Sequence, residues 1–146
     1  MNETAAGFIA RQDAKWERLR ERAIRTKDIG RQGFNTWIRE AWTFHQQHNH
    51  AEKVLVIERL RRAQVIGVRA FLGGAEEGDI EYRFGYYIVG RIGRRAGRWT
   101  WGQYSPFIPH PDLMMLLNKA RDEGTILPDG VATTSATEAV ARDARQ

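Results

Sequence analysis

The chain has 146 residues, 42% hydrophobic and 28% charged, a composition that supports an ordinary globular core without disulfides or a structural metal. It contains no cysteine, which excludes disulfides, thiolate nucleophiles and cysteine-ligated zinc or iron–sulfur centres. The formal net charge of +5 favours a polyanionic partner, although 19 of the 23 basic residues are arginine and a general arginine bias would produce the same balance. The first twenty residues lack the apolar core of a signal peptide, and no run approaches the roughly 18 apolar residues of a membrane span. The expectation is a cytoplasmic protein with no membrane partner.

Residues 4–27 read as a helix. Phe8, Trp16, Leu19 and Ala23 recur at helical spacing, the opposite face is charged, and Thr4 can cap the start. Ile29-Gly30 ends it. A second helix is expected over residues 35–48, with Phe34, Trp37, Ile38, Ala41, Trp42 and His45 as its apolar stripe. Residues 51–72 carry two signals. Val54-Leu55-Val56-Ile57 suits a strand, whereas Glu58-Arg59-Leu60-Arg61-Arg62-Ala63 suits a helix. The reading adopted is a helix over 51–64, then a strand to residue 72, stopped by Gly73-Gly74.

The composition is most unusual over residues 82–111, which hold eight of the fifteen aromatic residues, five arginines and no acid. Alternation predicts a hairpin with strands over about 80–92 and 98–108. Tyr82, Phe84, Tyr86 and Ile88 share one face of the first strand, and Trp99 and Trp101 share one face of the second. The connection, residues 91–98, is glycine-punctuated and basic. His110-Pro111-Asp112 is a good helix start, Leu113, Leu116, Leu117 and Ala120 form an apolar stripe, and Gly124 suits the position just past the end. From residue 128 onward Asp, Gly, Thr, Ser and Ala dominate without a periodic apolar face. The expected fold is therefore α+β. It has two or three N-terminal helices, an antiparallel sheet centred on the hairpin and a C-terminal amphipathic helix, in one domain over 1–127 with a polar tail over 128–146.

Functionally, the hairpin stands out. Nucleic acids need positive charge for phosphates and flat rings where bases are exposed. Arg91, Arg94, Arg95 and Arg98 supply the first, and Tyr87, Trp99 and Tyr104 the second. A winged helix is a variant of this reading, with residues 51–64 as the recognition helix, bearing Arg59, Arg61 and Arg62, and the hairpin as the wing. The rival is a non-catalytic protein-interaction module, a homo-oligomer or a subunit of a larger assembly, using the tryptophan-rich N-terminal helices and burying Phe8, Trp16 and Leu19 against a partner. A third reading is a small-molecule pocket beside Trp99, Trp101 and Tyr104.

Catalysis is not expected, and neither is a cofactor. No serine sits in a nucleophile elbow, no Walker-type phosphate loop is present, and Asp79 and Glu81 are too close together, with no lysine following, for a restriction-type nuclease. His45 and His48, one helical turn apart on the predicted helix, have a spacing that can serve a metal, with Glu52, His110 or water completing the set. A solvated helix end accounts for the histidines of residues 45–50 more simply, so no metal is expected.

Overall fold

The computed structural model describes residues 2–66 and 76–129. Over them the chain forms helix α1 (Ala5–Arg18), strands β1 (Ile24–Thr26), β2 (Phe34–Gln46), β3 (Lys53–Ile66), β4 (Ile80–Val89) and β5 (Trp99–Trp101), and helix α2 (His110–Asp122). The strands pair in chain order and are antiparallel throughout, forming a five-stranded curled half-barrel. The α+β class holds, with one N-terminal helix in place of two or three. The sheet is centred on β3, not on the predicted hairpin.

The expected second helix is strand β2, and one of the two bulges in its pairing with β3, at Glu40, explains the misreading. Trp37, Arg39, Trp42 and Phe44 stand opposite Arg62, Leu60, Glu58 and Val56, so all eight share one face of the sheet. The pairing slips between Thr36 and Trp37 and again between Arg39 and Ala41. Each slip inserts one residue and offsets the two-residue alternation. The second makes the β2 spacing two, three, two, which resembles a helical stripe.

The expected helix over 51–64 is strand β3. A strand covered on one face alternates polar and apolar residues, whereas β3 carries a helix on each face and so reads as a continuous apolar run. Val54 and Val56 are buried under α1 with Ala5, Phe8, Trp16 and Phe44. Leu55 and Ile57 are buried under α2 with Leu116 and Ala120. Arg59, Arg61 and Arg62 therefore lie on a strand, and the winged-helix variant has no recognition helix. The part of the predicted strand beyond Ile66, with Gly73-Gly74, and the tail from residue 130 lie outside the described residues.

Helix α1 begins where Thr4 accepts a hydrogen bond from the Gly7 N–H on its hydroxyl (3.1 Å), and it ends at Arg18 rather than at residue 27. The chain then turns, and Ile24-Arg25-Thr26 pairs with Asn35–Trp37 as an edge strand. The Trp37 indole N–H donates to Thr26 Oγ1 (2.8 Å) and ties this edge down. At the other edge the expected strand over 98–108 shortens to β5, which pairs only with Tyr87–Val89. Helix α2 forms as expected, with Asp112 in its first turn and Gly124 in the left-handed conformation (φ 78°) just beyond its end. No helix among the described residues is long and apolar enough to cross a membrane.

Two glycines let large rings lie flat on the sheet. A Cβ on Gly85 would sit 2.2 Å from the Trp101 ring, and one on Gly102 would sit 2.1 Å from the Tyr86 ring. Gly85→Ala must therefore displace Trp101 from under α1. It should cost about 1–3 kcal/mol in urea-induced unfolding, whereas an unchanged midpoint would show that this ring is free to move.

Candidate nucleic-acid interface

Beyond Val89 the chain makes a tight basic tip. The Gly90 N–H donates to Arg98 O (3.1 Å) and Gly90 O accepts from the Gly97 N–H (2.9 Å). Between these closures lies a 3₁₀ turn, Gly93–Arg95. Gly93 (φ 63°) and Gly97 (φ 74°) occupy the left-handed region, and a Cβ on Gly90 would lie 2.3 Å from Arg95 O. The three glycines thus allow a loop that its own backbone hydrogen bonds close, with its side chains exposed to solvent. Residues 91–98 are all exposed.

Arg91 forms an ion pair with Glu52 (2.6 Å) from the β2–β3 turn. Arg94, Arg95 and Arg98 have no carboxylate partner among the described residues. An open groove of about 370 Å³, lined by Asn49, His50, Ala51, Glu52 and Arg91, joins the tip to the β2–β3 turn. Tyr104 is 80% exposed and Phe107 is 84% exposed, so both offer ring faces to solvent.

The other two predicted stacking residues are partly buried and pack against the core. Trp99 lies parallel to Phe8 (4.8 Å between centroids, 13°) and donates its indole N–H to Glu3 O (2.8 Å). Tyr87 lies against Phe8 and Trp101, and its hydroxyl accepts from Gln12 Nε2 (3.2 Å). Burial, reinforced by the negative charge of Glu58, pushes the Tyr87 phenol up to about 12. Five of the seven predicted residues, the four arginines and Tyr104, are thus at the surface. Trp101 also packs, partly buried, on the α1 side, so both indoles of the predicted small-molecule pocket lie against the core.

The inner arginines are arranged differently. Glu58, at 0% exposure, accepts from Arg39 Nε on one side (2.7 Å) and from Arg83 Nε and Nη2 on the other (2.6 and 2.9 Å). The Arg39 guanidinium lies over Trp16 (3.9 Å), that of Arg83 over Trp101 (5.0 Å), and that of Arg62 over Trp37 (4.3 Å). Arg62 is held by Asn35 and Glu81, Arg61 by Glu40 and Gly78 O, and Arg59 by the carbonyls of Gly124 and Thr125. The sequence signal for this network is Glu58 itself, an acid directly following four apolar residues on a strand that a helix covers on each face.

The histidines converge on a carboxylate. Asp112, also at 0% exposure, has His45 Nε2 2.8 Å from Oδ1 and His48 Nδ1 2.6 Å from Oδ2, and Oδ1 also accepts from the His48 backbone N–H (3.0 Å). His45 is the penultimate residue of β2 and His48 lies in the following turn, so they do not share a helix. Among the described residues no group of three or more His, Cys, Asp or Glu is placed to hold a metal. The cluster instead fastens the start of α2 to the β2–β3 turn, beside the tip. Comparison with protein-family models, curated proteins and solved structures finds no match to this chain.

Burial alone would raise the Asp112 carboxyl. The hydrogen bonds from His48 and His45, with that of the His48 backbone, outweigh burial and hold it below the ordinary value of 3.8. Its stabilising contribution is therefore complete above the unfolded value and is lost as pH falls through the lower folded one. Asp112→Asn should reduce stability near neutral pH by about 1–3 kcal/mol and flatten the acid limb of the stability profile. Identical acid limbs in the two proteins would contradict this role.

Proposed function

We propose that this protein binds nucleic acid through the phosphate backbone, at the tip formed by residues 91–98. The observation that carries the reading is the contrast between the two sets of arginines. Those on the sheet are matched to carboxylates, carbonyls and indoles, whereas Arg94, Arg95 and Arg98 project from a backbone-closed loop with no carboxylate partner among the described residues. Uncompensated guanidinium groups held close together on one turn suit consecutive phosphates, with which each can form bidentate, charge-assisted hydrogen bonds. Binding of this kind is driven by counterion release and discriminates little between sequences. Tyr104 and Phe107 would add stacking on unpaired bases.

The rival based on the N-terminal helix has less surface to offer, because Phe8 and Trp16 are buried against the sheet and Leu19 alone of its three residues is half-buried. Arg91 contributes less than the other three, since a phosphate must compete with Glu52 for it.

Fluorescence anisotropy of labelled single- and double-stranded DNA and RNA, titrated at several salt concentrations, tests the reading. Wild type should bind in the micromolar range or tighter near physiological salt. The triple variant Arg94→Ala, Arg95→Ala, Arg98→Ala should bind more weakly, with the slope of log K against log salt reduced by about 2–3. Arg91→Ala should have a smaller effect than any one of the three. No binding by wild type, or binding unchanged in the triple variant, would refute the proposal.

A further inference from the structure

Among the described residues, β4 leaves part of one edge of the sheet unpaired. β5 pairs with Tyr87–Val89, and the Gly102 N–H then donates to Tyr86 O (2.8 Å). Over residues 80–85 the same edge of β4 makes no backbone hydrogen bond among the described residues. Along an antiparallel ladder every second residue points its N–H and C=O to the same side. Tyr86 O marks the β5 side, so Ile80, Tyr82 and Phe84 present their donors and acceptors outward. The Tyr82 and Phe84 side chains are exposed as well. On the opposite face, the stretch Glu81–Phe84 borders an open groove of about 330 Å³ whose other walls are Thr26, Trp37 and Leu60. Unpaired edges are ordinarily blocked by proline, lysine or a bulge. Residues 80–86 contain neither residue, and β4 pairs with β3 without a register shift.

We propose that β4 pairs with β4 of a second copy, antiparallel, about a two-fold axis at Tyr82. In that register Tyr82 faces Tyr82, Ile80 faces Phe84, and Glu81 faces Arg83 in both halves. The outward-pointing residues meet each other, as the ladder requires, and the two charged pairs are opposite in sign. Centring the axis on either neighbour sets Glu81 against Glu81 or Arg83 against Arg83 and brings together residues whose backbone groups point inward. Such charge self-complementarity suits an isologous interface between identical chains, and no foreign peptide need match it. The two sheets become one, and the arginine tips lie at opposite ends of the paired strands, free of the interface.

Sedimentation-velocity ultracentrifugation of the full chain, from low micromolar to several hundred micromolar, tests this. Wild type should pass from monomer to dimer with rising concentration. Phe84→Pro deletes an outward N–H that makes no bond within the monomer, so it should stay monomeric throughout while keeping its far-UV circular dichroism and cooperative unfolding. Glu81→Arg gives up the Glu81–Arg62 ion pair within the monomer and sets arginine against Arg83 of the second copy. It should raise the dissociation constant about tenfold or more while keeping cooperative unfolding, and it decides the matter if the proline variant does not fold. A wild type that remains monomeric at every concentration overturns the proposal. So does a dimer that persists in the folded variants.

Discussion

The structure depends on a carboxylate that has no access to water. Glu58 occupies the middle strand of a five-stranded sheet, on the face that α1 partly covers, and is satisfied by Arg39 from β2 and Arg83 from β4. A buried ion carries a large desolvation penalty that only well-aligned partners repay, and removing one partner strands the other charge. Three adjacent strands must therefore keep their register for the charges to stay matched. Each flanking guanidinium is closed off by an indole, Trp16 over Arg39 and Trp101 over Arg83. Trp16 and Trp101 are thus lids over cations as much as filling for a core.

This arrangement divides the arginines by role. The sheet consumes Arg39, Arg59, Arg61, Arg62 and Arg83 in ion pairs and carbonyl contacts. The local charge at the tip is of another kind. Gly90, Gly93 and Gly97 let the loop close on itself, and Arg91 is neutralised by Glu52, while the other three arginines of the loop project into solvent. The helix start behind the tip is anchored by Asp112 to His45 and His48, so the basic loop and the β2–β3 turn sit on a braced end of the sheet. Net charge alone cannot separate a structural arginine from an available one, but pairing does.

The parts of the fold legible in the sequence were those set by neighbours along the chain. Helix α2 followed from Pro111, Asp112, the leucine stripe and Gly124. The shared face of Trp99 and Trp101 followed from alternation, as did the basic tip between the last two strands. Strands β2 and β3 were misread because their patterns reflect distant contacts. The register slip at Glu40 gave β2 a helix-like spacing, and cover by a helix on each side removed the alternation from Val54–Ile57. The Asp112 cluster joins residues more than sixty positions apart, a relation that no local spacing reveals. In the candidate site the four arginines and Tyr104 were legible as surface groups. Tyr87 and Trp99 were not separable from them, because an aromatic ring on a strand looks the same in sequence whether it faces solvent or a helix.

The most direct test of this division of the arginines is a side-chain NMR titration. In a ¹⁵N correlation spectrum of the arginine Nε–Hε groups, a short oligonucleotide should shift and broaden the signals of Arg94, Arg95 and Arg98. The signals of Arg39, Arg62 and Arg83 should stay in place, since their guanidinium groups are already engaged inside the sheet. Shifts confined to the inner set, or spread equally over both sets, would contradict the account.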